Sequence, residues 1–305
     1  MPSPGNLIPV RNIDDPDQEK QLTNLTPIPD LHHHPTLHLT LSSHTMPTLH
    51  RLYLTEISNE RGKFLSIPAS IFTEADIVRL PEPVQRYFRS CGYLGKLKQF
   101  HSRVIWKNVA MQFSPHGKWR RLQCNQFNSV PEPVRMMHLK TRLGGILPFE
   151  ARDKYQDGHG NMLIRALSFL TVQDVKGREI DESELVTILS ESLLIPAYAL
   201  QPYIRWSAVA SDRAEATMEY NGTTVKGLFF FNNRGEMTRF ETYHRWRAEK
   251  GGRFQRVPWC ITTGDYVLHE GIMRPSRASA AWLEGGNWVD YFRGEIAGIE
   301  PGGVI

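Results

Sequence analysis

The chain is 305 residues long, 40% hydrophobic and 22% charged, a globular composition with room for one large domain or two ordinary ones. A formal charge of +4 is too small by itself to point to nucleic acid, and no apolar run approaches the roughly 18–20 residues needed to cross a bilayer. Three scattered cysteines, Cys91, Cys124 and Cys260, fit small buried thiols in a reducing compartment, so a cytoplasmic protein is expected, neither membrane-spanning nor secreted.

Residues 1–50 hold eight of the 20 prolines and six of the 12 histidines. Proline fixes φ and removes backbone donors, so regular structure would be interrupted repeatedly. The segment reads as a disordered Pro/His-rich arm, and Met46 could be an alternative start. Its histidines could bind transition-metal ions, but their spacing is not that of a zinc finger, and no metal site is assigned. Residues 51–72 read as a linker, and residues 73–305 as a single domain.

The domain opens with helical signals. Thr73 can cap a helix, with Asp76 in the capping-box position, and Pro81 stops it. Pro83 suits the first turn of a second helix, whose Val84, Tyr87 and Phe88 share a face, and Gly92 ends it. Strand-like runs follow at 102–106, 109–113, 118–128, 134–141, 149–155 and 161–171, with Asp157-Gly158 as a hairpin turn. A helix then starts at Asp181-Glu182-Ser183-Glu184, with Leu185, Ile188, Leu189 and Leu193 at helical spacing. A three-strand meander comes next, over 214–220, 223–231 and 236–247, turning at Asn221-Gly222 and at Asn232-Asn233-Arg234-Gly235. Further strands are expected at 265–273, 276–283 and 288–299.

Strands joined by short turns run antiparallel, and eight or more of them should curl. The expected fold is therefore α+β: a long, strongly curved antiparallel β-sheet, half-barrel-like, with a few helices covering its concave face. Large side chains on these strands would either fill the core or line a ligand groove. The candidates for lining are Phe229, Phe231, Phe240, Trp246 and Trp282, with Arg277 beside them.

The chemistry is less marked. Glu191, on the helix beside an apolar stretch, and His244, between Tyr243 and Trp246, are the acid–base candidates, each with a structural reading as salt-bridge or hydrogen-bond partner. Asp153, Tyr155 and Asp157 form a polar cluster suited to a turn. Lys118, Arg120 and Arg121 read as a solvated strand end. No nucleophile elbow or phosphate-cradling glycine pattern occurs, and no cofactor is expected.

Several motifs together carry a resemblance. They are Leu80-Pro81-Glu82-Pro83-Val84-Gln85-Arg86-Tyr87, the run from Asp153 to Met162, and Glu191 with Pro196, Ala199 and Leu200. Further on come Pro258-Trp259, Asp265-Tyr266, Gly271, Pro275-Ser276-Arg277, Trp282 and the run from Tyr291 to Ile296. Over about residues 75–300 the chain resembles a bacterial and archaeal family of unknown function. The resemblance implies a shape similar to the half-barrel lipoprotein carriers. The expected function is non-catalytic binding of a lipid or other apolar small molecule, the alternative being an enzyme acting on a small apolar substrate by acid–base chemistry.

Overall fold

The computed structural model describes residues 47–64, 67–114, 117–249 and 252–302. Of the arm expected over residues 1–50, residues 1–46 lie outside the described residues, as do its histidines apart from His50, while Leu49 and His50 begin a helix.

The chain order is α1 (Leu49–Lys63), α2 (Glu74–Ile77), α3 (Glu82–Ser90), β1 (His101–Met111), β2 (Arg120–Ser129), β3 (Val134–Leu143), β4 (Leu147–Gln156), β5 (His159–Ala166), β6 (Leu170–Val175), α4 (Arg178–Ser190), a short 3-10 turn (Tyr198–Leu200), β7 (Ile204–Ala210), β8 (Arg213–Tyr220), β9 (Thr223–Phe231), β10 (Met237–Thr242), β11 (Trp246–Ala248), β12 (Phe254–Arg256), β13 (Trp259–His269), β14 (Ile272–Glu284) and β15 (Asn287–Pro301). Thirteen of these strands form one sheet, in the order β6-β5-β4-β3-β2-β1-β15-β14-β13-β10-β9-β8-β7. Every pairing within it is antiparallel. β15 lies between β1 and β14, so the last strand joins the two halves of the sheet.

The sheet is strongly curved, and one helix proves it. In the strand order β5 and β9 stand nine places apart. At roughly 4.8 Å per strand a flat sheet would separate them by about 40 Å. Yet α4 packs against both of them. The sheet therefore curls around α4, which lies on the concave face. Every residue from Glu182 to Ser190 is buried as a result, the two glutamates included. The spacing of Leu185, Ile188 and Leu189 predicts an amphipathic helix, but a wrapped helix has no solvent face.

The tips of the two halves meet. Asp157-Gly158 and Asn221-Gly222 both take positive φ, as type I′ hairpin turns require. A Cβ on Gly158 would overlap the Asn221 side chain, and a Cβ on Gly160 would stand 2.6 Å from the Ile180 carbonyl oxygen at the start of α4. Glycine is needed at both places for close approach.

Residues 49–63, inside and beside the stretch read as a linker, are the helix α1. Its apolar face is narrow, only Leu49, Tyr53 and Ile57 at every fourth position, which leaves a weak signal in the sequence. It packs on the convex side of β2–β4, where Tyr53 and Ile57 meet Phe127, Val134 and Met136. Glu56 takes a 2.8 Å bond from Lys154, and Glu60 a 2.9 Å bond from Gln156 Nε2. Helices thus cover both faces of the sheet.

Other boundaries moved for local reasons. The first two expected strands are one, β1, with an irregularity at Asn108, whose φ is 49°. The 161–171 run is broken by Leu167 and Ser168, both at positive φ, into β5 and β6. The 236–247 run leaves the main sheet after Thr242 and continues as the separate β11–β12 hairpin. β7 was not anticipated.

Candidate functional site

Strand alternation places Arg135, Met137 and Leu139 of β3 on the concave face, opposite the residues that meet α1. There they line a cavity of about 160 Å³ between the sheet and the C-terminal half of α4. Its walls are largely apolar: thioethers of Met111, Met137, Met162 and Met237, and the rings of Trp106, Trp259 and Phe292. Trp106 and Phe292 meet edge to face at 5.6 Å, a stable aromatic arrangement. A wider, more polar chamber of about 1000 Å³ adjoins it, bounded by β5, β6, the first turns of α4 and the β11–β12 hairpin. Met111, Met162, Arg245 and Tyr291 belong to both walls and mark the junction.

A buried ionic cluster stands at that junction. Arg135 Nη1 donates to Asp153 Oδ2 at 3.0 Å, and Arg135 Nε to Glu191 Oε1 at 2.9 Å. The second oxygen of Glu191 takes bonds from Gln126 Nε2 at 2.8 Å and Asn128 Nδ2 at 3.3 Å. Glu184 lies 3.8 Å from Arg135 and 3.9 Å from Arg245. Burial opposes the charge on Arg135, but Glu191, Asp153 and Glu184 outweigh it and raise its pKa above the ordinary guanidinium range. Glu184 behaves differently. Burial first, and then the Asp153 carboxylate, push it up to about 8 against the pull of Arg245 and Arg135. This shift favours the neutral carboxylic acid over the carboxylate near neutral pH. Glu184 Oε2 and Asp153 Oδ1 are buried and have no hydrogen-bond partner.

The β11–β12 hairpin straps the outer chamber. Arg256 Nη2 reaches Glu182 at 2.6 Å, and the Trp246 backbone N–H donates to Ser183 Oγ at 3.0 Å. Arg245 Nη1 donates to the Ser183 carbonyl at 2.7 Å, and its guanidinium sits 4.4 Å from the Trp259 ring. At the far side Arg247 Nη1 donates to Glu284 at 2.6 Å.

The residues singled out from the sequence are distributed as follows. Glu191 lines the inner cavity, but three donors hold its two oxygens. His244 lines neither chamber, and burial together with Arg256 lowers its pKa. The two acid–base candidates are thus not brought together around one space. Trp246 and Trp282 line the outer chamber. Phe229 and Phe240 are core: the ring series Trp206, Phe229, Phe240, Trp259 runs at spacings of 4.9, 4.8 and 6.3 Å, and only Trp259 of the four reaches the cavity. Phe231 packs on Tyr87 at 6.3 Å, also away from both chambers. Arg277 is exposed on the other side of its strand, paired with Asp265 at 3.1 Å. Arg135, Glu184 and Arg245 were missed. The signal was a charge placed among apolar neighbours: Arg135 alternates with Met137 and Leu139, and Glu184 shares the helix face of Ile188 and Glu191.

The three cysteines are free and buried, and burial pushes each thiol up to about 12. Among the described residues no group of His, Cys, Asp and Glu is arranged to hold a metal ion, and no helix is long and apolar enough to cross a membrane.

The chain belongs to a family of unknown function, DUF6544, whose model matches residues 70–294. A solved LolA superfamily protein from Nitrosomonas europaea is similar in structure, with a TM-score of 0.40 and 12% identity, over 71% of this chain and 92% of that one. No curated protein matches the chain.

Proposed function

We propose that this member of the family is a non-catalytic binder of an apolar small molecule, a lipid or a similar chain, held in the cavity between α4 and the curled sheet. The observation that carries the reading is the wall itself. Thioethers and aromatic rings enclose about 160 Å³, and a wider chamber connects to it. A dry apolar cavity of about 150 Å³ is enough to bind a benzene-sized group. Methionines suit such a role because their flexible, polarizable side chains adapt to differing shapes. The three free, buried thiols support a cytoplasmic setting.

Displacement of a fluorescent fatty-acid probe tests this. The wild-type protein should bind the probe with saturation, and Ala278→Leu, which fills the inner cavity from β14, should weaken binding at least tenfold with little change in melting temperature. Equal binding by the filled variant would place the probe elsewhere and sink the reading.

A further inference from the structure

Within that reading, we propose that the ligand carries a cationic amine head, which docks between Asp153 and Glu184 while its apolar tail fills the inner cavity. The inference rests on the apolar-binding function above, and on a charge count at the junction of the two chambers. Three carboxyl groups face one another there: Asp153 from β4, Glu184 from the middle of α4 and Glu191 from its end. Two guanidiniums answer them, Arg135 from β3 and Arg245 from the segment before β11. Further titratable groups interact with the cluster: Tyr291 of β15, which accepts from Trp259 Nε1 at 3.0 Å, Cys124 of β2 and Tyr198, whose hydroxyl donates to the Ser129 carbonyl. With all three carboxyls ionised, the site would be one positive charge short.

The two oxygens without a protein donor point to where that charge belongs. Asp153 Oδ1 and Glu184 Oε2 are both buried and unpartnered by any side chain or backbone N–H, and the Glu184 side chain is 95% buried, with a relative exposure of 5%. Asp153 lines the inner cavity and Glu184 the outer chamber, so a head between them lies where the two spaces meet. In the free protein a proton fills the gap. An incoming ammonium, with three N–H donors, can bond both carboxylates at once. The exchange balances: R–NH3+ enters, Glu184 changes from carboxylic acid to carboxylate, and one proton leaves to solvent. A carboxylate head would bring a further negative charge against Asp153 and Glu191, and an alcohol would leave the proton in place.

Isothermal titration calorimetry with octylamine, 1-octanol and octanoate at pH 7, in two buffers of different ionisation enthalpy, separates these cases. Octylamine should bind at least tenfold more tightly than either other probe and release close to one proton per molecule bound. Glu184→Gln, which keeps the shape of the neutral acid but cannot ionise, should retain octanol binding while losing both the amine preference and the proton release. Its thermal melt at pH 7 should be one cooperative transition at or above the wild-type temperature, which shows that the variant is folded. Octanol binding with no amine preference, or amine binding without proton release, would overturn the head-group inference and leave the apolar cavity standing. Failure of all three probes would remove the apolar-binding reading itself.

Discussion

Trp246 Nε1 donates to Glu182 Oε2 at 2.6 Å, joining a hairpin outside the main sheet to the helix at its centre. Arg256 meets the same carboxylate oxygen, and its guanidinium lies 4.8 Å from the Trp246 ring. One glutamate thus fixes both strands of the strap. Burial raises the Glu182 pKa, but the bonds from Trp246 and Arg256 outweigh it, so the net shift is downward and the carboxylate stays charged at neutral pH. Glu182→Ala should loosen the hairpin without unfolding the sheet, at a cost of about 1–3 kcal/mol for the lost charge-assisted bonds. Hydrogen exchange checks this: amides of β11 and β12 should exchange much faster, while those of β13 and β14 keep their protection.

The charged cluster makes a second prediction. Arg135→Met leaves Asp153 and Glu191 buried without their guanidinium, and breaking a buried pair from one side typically costs about 3–5 kcal/mol. Urea unfolding at pH 7 should show that loss.

Glu184 sets a pH dependence whose sign can be worked out. Burial raises its folded pKa from the ordinary value to about 8, so between the two values the native state holds a proton that the unfolded state has released. Stability then falls as pH rises through that window, and the loss levels off above the folded value. Glu184→Gln should flatten this part of the stability curve. At pH 9 the variant should melt at a higher temperature than the wild type, and near pH 4 the two should coincide. His101, His138 and His244, all lowered by burial, contribute the opposite slope, so the test is the wild-type minus variant difference: one that fails to fall from pH 5 to 8 would contradict a protonated Glu184.

At the rim of β5, Gly160→Ala would drive a methyl group into the Ile180 carbonyl oxygen, 2.6 Å from the new Cβ. Backbone cannot yield as a side chain tip can. A loss of about 1–3 kcal/mol is expected in chemical denaturation, as for other overpacked sites.

The cysteines should be silent in the folded protein. Each thiol is buried and held up near 12, which keeps the nucleophilic thiolate scarce at neutral pH. Alkylation by iodoacetamide should be slow for Cys91, Cys124 and Cys260 alike, and should become fast for all of them together in guanidinium. Rapid labelling of one cysteine under native conditions would show that its burial is not maintained.

Much of the fold was legible because its signals are local. The capping box at Thr73 and Asp76 formed as read, with a 2.7 Å bond from the Thr73 backbone N–H to Asp76. Pro83 sits in the first turn of α3, and Asn221-Gly222 makes its hairpin. The candidate site was less legible because it is assembled from residues far apart in sequence. Nothing near Arg135 announces that residues 153, 184 and 191 will surround it. The phenylalanines of β9 and β10 read equally as lining or as core, since alternation says which residues share a face but not how far from α4 that face lies. Helix α1 escaped because its contacts with β4 are mainly ionic, and only three apolar positions mark its packing side.

The central position of β15 has a consequence for assembly. Strands β1–β6 form one ladder of near neighbours, and β7–β10 with β13 and β14 form another, each able to form as it leaves the ribosome. Neither ladder bonds to the other until the final strand slides between β1 and β14. During synthesis the nascent chain would therefore hold two unjoined sheets with open edges, and ligand-binding competence should arise only after β15 emerges. Ending translation before Asn287 should yield two loosely associated halves that aggregate through those edges, rather than a slightly shortened protein.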